Sequence, residues 1–147
     1  MSTQPQLEAT QEQILYANFL EKGMLIGLLL MCITFAVYVS GIMGAAVPKE
    51  FIASLWNLPV HDYLAAINEH FLHRERMMTG WSWLSMLGKG DFLNFLPVAI
   101  LSGTTIACYL AIAPGLFKRG DKAMGVMAVV EAFILALAAS GVLAVGH

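Results

Sequence analysis

The feature that most constrains this chain is an uncharged apolar run, residues 23–47, with the sequence GMLIGLLLMCITFAVYVSGIMGAAV. At ~1.5 Å of rise per residue, a helix of this length extends about 37 Å and can cross a ~30 Å hydrocarbon core. The run therefore predicts a membrane span. Upstream, Thr10 and Gln13 have the spacing of a capping box, which predicts that the helix begins at about Gln11 and continues into the span.

Composition agrees with a membrane protein that is helical throughout. The 147 residues are 59% hydrophobic and 12% charged, with a mean hydropathy of +0.72, whereas soluble domains are about 25% charged. Two further apolar runs, 93–117 and 123–146, predict a second and a third span. We therefore predict an all-α fold: one integral membrane domain with three transmembrane helices. A net charge of −2 gives no indication of nucleic-acid binding.

An insert, residues 48–92, separates the first two spans and carries all three tryptophans. Pro48 is expected to end the first span. From Val60 to about Met78, apolar residues recur with helical spacing, which predicts an amphipathic helix that is too polar to span the bilayer. Because tryptophans cluster at membrane interfaces, we expect this helix to lie on the external membrane surface.

Small residues on two spans predict where helices approach each other. Gly23 and Gly27 form a GxxxG pair in the first span. The third span carries a stripe at four-residue spacing, formed by Ala128, Ala132, Ala136 and Ser140. In lipid, small residues let two backbones come close together. We expect these residues to contact other membrane subunits or a second copy of the chain.

Cations near the ends of the spans predict the orientation. Three lie in the turn 118–122, and Lys22 borders the first span on the same side. The insert carries four, spread more thinly: Lys49, Arg74, Arg76 and Lys89. We predict a multi-pass protein of a prokaryotic inner membrane, with a cytoplasmic N-terminus and with the insert and His147 outside.

Glu131 is the only acidic or basic side chain within a predicted span. It lies nine residues past Lys122, roughly 13 Å deep at helical rise. A carboxylate at that depth is costly, so we expect it to face a bundle interior. Equal counting along the neighbouring spans predicts a polar cluster of Glu131, Tyr109, Thr105 and Cys108 with Cys32 or Thr34. The acid then serves either a proton relay or quinone contact, or a structural hydrogen bond to a neighbouring helix, including one of another subunit.

A second candidate site lies in the insert, where Glu69, His70 and His73 share a helical face. Imidazole and carboxylate groups bind transition metals, but HxxH provides only two ligands and needs a third from elsewhere. The alternatives are a contact with a partner or a quinone headgroup, and a solvated polar face of an interfacial helix.

Several kinds of chemistry lack their sequence signatures. No histidine lies in a predicted span, so the chain alone cannot ligate a haem between two of its own helices. A nucleophile elbow, a dinucleotide fingerprint, a phosphate loop and a cysteine quartet are all missing. The sequence therefore favours a non-catalytic protein that binds no cofactor alone, although a quinone or haem shared with partner subunits is compatible with it.

Residues 93–143, which include the run YLAIAPGLFKRGDKAMGVMAVVEAFILALAASGVL, resemble the C-terminal half of small three-span bacterial membrane proteins of uncharacterised function. The shared pattern is an apolar span that ends around a proline, a short basic turn and a final span. The resemblance implies a bacterial inner-membrane protein and assigns no catalytic residue. The insert departs from that pattern.

Three functions are compatible with these features. The leading hypothesis is a non-catalytic small subunit of a multi-subunit membrane complex, respiratory or otherwise engaged in electron transfer. The first alternative is a proton- or ion-coupled transporter component that uses Glu131. The second is an external protein that binds a metal or a quinone headgroup through His70 and His73.

Overall fold

The computed structural model describes residues 8–143 and is all-α, with 76% helix and no strand in that range. In chain order the α-helices are α1 (Gln11–Ser40), α2 (Lys49–Leu55), α3 (Val60–Ile67), α4 (Gly90–Leu93), α5 (Phe95–Lys118) and α6 (Lys122–Ala139). A π-helical turn (Asn68–Leu72) and a 3-10 helix (Gly80–Met86) lie between α3 and α4. Within the described range, three segments are long and apolar enough to cross a membrane: α1, α4 with α5, and α6.

The first helix begins where the sequence predicts and ends earlier. The side chain of Thr10 accepts from the Gln13 N–H at 3.3 Å, and the Gln13 side chain accepts from the Thr10 N–H at 2.9 Å, which confirms the capping box. The helix stops at Gly41, which takes the left-handed conformation (φ 73°) typical of a helix C-terminus. The prediction that Pro48 ends this span was therefore wrong, and residues 42–47 form a loop.

The other two long helices also differ from the predicted bounds. The second begins three residues before 93, as the short helix α4, and breaks at Asn94 before α5. The third ends at Ala139 because Gly141 adopts a left-handed conformation (φ 73°). The predicted end at 146, and His147, lie outside the described residues.

The three long helices form an antiparallel row with α5 in the middle. Helix α5 packs against α1 on one side and α6 on the other, whereas α1 and α6 scarcely touch. Gly23 lies against Thr104: a Cβ added to Gly23 would stand 2.6 Å from the Thr104 hydroxyl oxygen. Gly27 lies equally close to Leu101, where an added Cβ would stand 2.6 Å from the Leu101 Cγ atom.

Part of the predicted small-residue surface packs within this chain, and contact of these residues with other subunits or a second copy stays a prediction. Besides Gly27, Ala128 and Ala132 are buried, and they lie on α6, which packs on α5. Ala136 and Ser140 remain exposed, beside a groove of about 410 Å³ between α5 and α6. The part of the stripe that packs is therefore not available to another subunit.

The amphipathic helix of the insert is shorter than the predicted 60–78. Helix α3 passes into the π-helical turn, and His73 ends the segment with a left-handed backbone (φ 48°). The Asn68 side chain fixes the reversal: its amide donates to the Arg74 carbonyl at 2.9 Å, and its oxygen accepts from the Arg74 N–H at 3.1 Å. Such side-chain bonds to the backbone compete with continued helix.

Asp91 attaches the start of the second span to the loop that follows the first. Its carboxylate accepts the Ala46 N–H at 3.0 Å on both oxygens and the Val47 N–H at 3.0 Å. It also accepts the N–H of Phe92 at 3.1 Å. Because the two carboxylate oxygens together accept three backbone donors, the insert closes into a loop with fixed ends.

The insert has an apolar interior of its own. Val47, Ile67, Met78 and Phe92 are buried there. Aromatic rings stack along its edge, with centroids 5.8 Å apart for Trp81 and Trp83 and 5.9 Å apart for Trp83 and Phe95. The Trp81 indole N–H donates to the Ala139 carbonyl at 2.6 Å, so the insert also contacts the end of α6.

Candidate functional site

Glu131 lies in the middle of α6, nine residues after Lys122 and eight before Ala139. Its side chain is exposed on the outside of the helix row. Within residues 8–143 it forms no hydrogen bond and no ion pair. The expectation that this acid faces the interior of the bundle is therefore wrong for a single chain, because the neighbouring Ala132 faces α5 instead.

The height of Glu131 along the row follows from the packing of α6 on α5. Gly125 lies against the ring of Phe117, with 3.0 Å between an added Cβ and the ring. Leu135 lines one groove together with Ser102 and Ile106. Glu131 falls between these two levels, which places it roughly beside Tyr109, as the depth count predicts.

The rest of the predicted cluster does not assemble around Glu131. The Tyr109 ring packs edge-on against Tyr16 of α1, with centroids 5.9 Å apart. Cys108 is fully buried, with its Sγ atom 3.8 Å from the Tyr16 carbonyl oxygen. Both residues thus contact α1, on the side of the row away from α6. Thr105 is half-buried at a similar height.

Cys32 and Thr34 lie far from this level. Thr34 is 18 residues after Tyr16 on the same helix, about 27 Å along its axis. Its hydroxyl donates to the Met31 carbonyl at 3.2 Å, and Cys32 is exposed. The depth count placed them at the level of Glu131 because it started the first span at Lys22, whereas the helix begins at Gln11.

The same shift changes the position of Glu21 and Lys22. Gly23 contacts Thr104, which lies 14 residues, or about 21 Å, from Lys118 at the turn. Glu21 and Lys22 are therefore exposed near the mid-height of the row and not at the level of the basic turn. Lys22 no longer supports a cytoplasmic N-terminus, and the orientation stays a prediction from the turn alone.

The histidines of the insert do not form the predicted face. Because His73 has a left-handed backbone at the end of a π-helical turn, it lacks the regular three-residue spacing from His70. Glu69 and His70 are exposed on that turn. Among the residues that the structure describes, no three His, Cys, Asp or Glu side chains converge as a metal site requires. Elsewhere in the insert His61 approaches its neighbour Asp62, with 3.6 Å between ring nitrogen and carboxylate oxygen.

A cavity of about 570 Å³ opens at the other end of the row, where α1 begins and α5 meets α6. Glu12 and Arg119 form an ion pair beside it, with 11% of the Glu12 side chain and 54% of the Arg119 side chain exposed. Tyr16 and Asp121 also line it. Since the acid and the base satisfy each other, the pair joins the first and second spans and leaves no free charge of its own in the cavity.

Sequence reasoning missed Asp91 and the aromatic wall beside it. The signal was visible: Asp91 follows Gly-Lys-Gly and immediately precedes an apolar run, the position where an acid stabilises a helix N-terminus. The predicted start of the first span at residue 23 likewise places Glu21 outside the span, whereas the structure places it near the mid-height of the row.

No family model matches this chain, and no solved structure matches it. A search of curated proteins found a relative from Archaeoglobus fulgidus (strain ATCC 49558) described as an uncharacterized protein. The two chains are 44% identical over 137 residues, which cover 93% of this chain and 92% of the relative. Coverage of that extent includes the insert as well as the long helices. The chain therefore belongs to the same family as this archaeal protein.

Proposed function

We propose that this protein is a small, non-catalytic subunit of a larger membrane complex, which it joins through the outer face of α6. One observation supports the proposal most: a glutamate in the middle of an apolar, span-length helix points away from its own chain. An intramembrane acid that has no partner in its own bundle needs one in another chain.

An acidic side chain at the centre of a transmembrane helix costs about 2.5–3.5 kcal/mol on insertion scales. A hydrogen-bond donor on a neighbouring helix offsets part of that cost. The sequence reading that places the partner of Glu131 on another subunit is therefore the one that the geometry supports.

The surface around Glu131 suits a helix more than water. Met127 lies four residues before it and Ile134 three residues after it, and they are 58% and 54% exposed. Residues at this spacing share a helix face. The face is thus apolar with a single acid, so we infer a membrane helix of a partner subunit that presents a hydroxyl, amide or cationic donor.

A transporter component that couples ion movement to Glu131 is less well supported. Such an acid would be expected to line a pathway, but here it stands on the outside of the row. The electron-transfer role of the complex remains a prediction of the sequence alone. So does a metal- or headgroup-binding role for His70 and His73.

Photocrosslinking in native membranes tests the proposed contact. Benzoylphenylalanine at Val130, beside Glu131, should give a discrete product with one other membrane chain. The matched control is the same probe at Leu29 of α1, which is 63% exposed and lies on the other outer helix. A product at both positions, or at neither, would contradict a specific contact through α6.

Substitution of the acid separates assembly from folding. Glu131→Leu should abolish copurification with the partner in mild detergent, while the isolated chain becomes more heat-stable because the costly acid is gone. If the variant instead loses stability and retains its partner, the carboxyl group stabilises the fold of its own chain and does not contact the partner. Proton flux into proteoliposomes of the pure protein that disappears in Glu131→Gln would favour the transporter.

A further inference from the structure

The insert contains a cavity of about 360 Å³ beside the start of the second span. Leu64 and Ile67 of α3 form one wall, with Met78. Trp83 and Phe92 line the other side. Pockets for small molecules are typically 300–1,000 Å³, largely apolar and carry a few polar groups, so this cavity has the size of a single ring system.

The aromatic side favours a flat occupant. The rings of Trp81, Trp83, Phe95 and Phe92 follow one another with centroids 5.8–5.9 Å apart and interplanar angles of 21–28°. Nearly parallel rings present a π-face on which another flat ring can stack in an offset arrangement. A flexible acyl chain gains no such interaction.

The polar groups of the cavity are hydrogen-bond donors. Tyr63 and Thr79 both line it, and within residues 8–143 neither hydroxyl donates to a protein acceptor. Asp91 also lines it, but its two oxygens already accept from the backbone N–H groups of the neighbouring loop. A ligand here therefore meets two hydroxyl donors and an acid whose oxygens are engaged, which suits a ligand that carries acceptors.

Access from the membrane follows from the outer surface of the insert. Phe51, Trp56 and Val60 are 51%, 76% and 76% exposed on α2 and at the turn into α3. Aromatic and aliphatic side chains in such positions favour a lipid interface. Ile52 of α2 also lines the cavity, so we expect a lipid-soluble molecule to enter it from this surface.

We propose that this cavity binds a lipid-soluble flat ring with carbonyl oxygens, the chemical class to which membrane quinones belong. The ring stacks beside Trp83, and the carbonyl oxygens accept from the hydroxyl groups of Tyr63 and Thr79. This site is independent of the α6 contact, so either proposal can fail alone.

Tryptophan fluorescence of the full chain in nanodiscs tests the site. The probe is 2,3-dimethyl-1,4-naphthoquinone, whose quinone ring has no free carbon for thiol addition by Cys32 or Cys108. In a variant that keeps only Trp83 (Trp56→Phe with Trp81→Phe), quenching should saturate. In the matched variant that keeps only Trp56, it should rise linearly, because that side chain meets only quinone dissolved in the lipid.

Two further comparisons identify the chemistry. Tyr63→Phe should weaken the saturable quenching about fivefold, as expected for loss of one hydrogen bond. Leu64→Trp in the variant that keeps only Trp83 should abolish the saturable quenching, because the larger side chain fills the cavity. The fluorescence of the added indole is subtracted. Val60→Phe on the exposed side of α3 should leave it unchanged.

The carbonyl requirement has its own control. An excess of 2,3-dimethylnaphthalene, which has the same ring without oxygens, should not relieve the quenching. Equal competition by this hydrocarbon or by palmitate would overturn the proposal, as would linear quenching of Trp83. Loss of copurification in Glu131→Leu with unchanged quinone binding would show that the two sites are separate.

Discussion

The helix row and the insert are held together in different ways. In the row, helices approach through small residues, with Gly23 against Thr104 and Ala132 buried beside α5. The insert has larger buried side chains, such as Met78 and Phe92, and its ends are tied by a carboxylate. The row leaves most of its large apolar residues exposed, whereas the insert buries a cluster of them around Met78 and Phe92 and exposes others, such as Trp56 and Val60.

This difference is the one expected for long helices that cross a membrane and an insert that lies at its surface. Lipid provides no hydrophobic drive between apolar helices, so the row depends on close backbone approach. The insert connects two of the long helices, and burial of apolar side chains and satisfied backbone donors both stabilise it. Removal of the acceptor of a backbone N–H should therefore destabilise the insert more than the row. Enlargement of a small side chain should destabilise the row more than the insert.

The largest expected effect is that of Asp91→Ala on the insert. Three backbone N–H groups would lose their acceptor, which we expect to cost about 3 kcal/mol. Limited proteolysis should then cleave the 42–47 loop at least tenfold faster while the long helices stay protected. The control is Asp121→Ala, which removes one 3.3 Å capping bond to the Met124 N–H and should cost about 1 kcal/mol without exposing the insert.

Next in size is Gly23→Val, which breaks the row. The new side chain overlaps Thr104, whose hydroxyl is held by the Ile100 carbonyl at 2.9 Å. We expect about 2 kcal/mol of destabilisation in detergent unfolding. Thr104→Ala in the same chain should restore part of the lost stability. If it restores none, the contact between residue 23 and Thr104 is not the cause of the loss. Gly103→Ala, where an added Cβ meets nothing within 4 Å, should be harmless.

The smallest effect concerns the place where the two regions meet. Trp81→Phe keeps an aromatic ring beside Trp83 but removes the 2.6 Å indole hydrogen bond to the Ala139 carbonyl. The expected cost is about 1 kcal/mol, measured as faster amide exchange at the C-terminal end of α6. Trp56→Phe, at a side chain that is 76% exposed, should change it by less than 0.5 kcal/mol. Equal effects of the two variants would mean that the insert and α6 are not coupled.

Much of the fold could be predicted because hydropathy and capping are local. The capping box at Thr10 set the true start of α1, and the three apolar runs identified three long helices. The helix ends at Gly41 and Ala139 could not be predicted from hydropathy, because a glycine within an apolar run is compatible with a continuing span. Only its backbone conformation shows that the helix ends there. Asn68 likewise ends the insert helix through a side chain six residues from its partner.

The candidate site depended on register, which the sequence could not provide. A depth count from Lys22 places Cys32 beside Glu131. The contact of Gly23 with Thr104 shows that α1 is shifted along the row by about half its length relative to that count. A depth count also cannot tell which side of a helix a residue occupies. It matched Tyr109 to the height of Glu131, but Tyr109 packs on α1 and Glu131 faces outward.

The carboxylate of Asp91 also sets an order of events during synthesis. The acceptor of the Ala46 N–H is Asp91, which lies 45 residues further along the chain and is synthesised later. At translation rates of about 5–20 residues per second, that acceptor leaves the ribosome about 2–9 s later. In that interval the first helix can already have formed while the insert is still open. The insert can therefore close only after Asp91 has been synthesised, and its contact with Ala139 of α6 can form only later still.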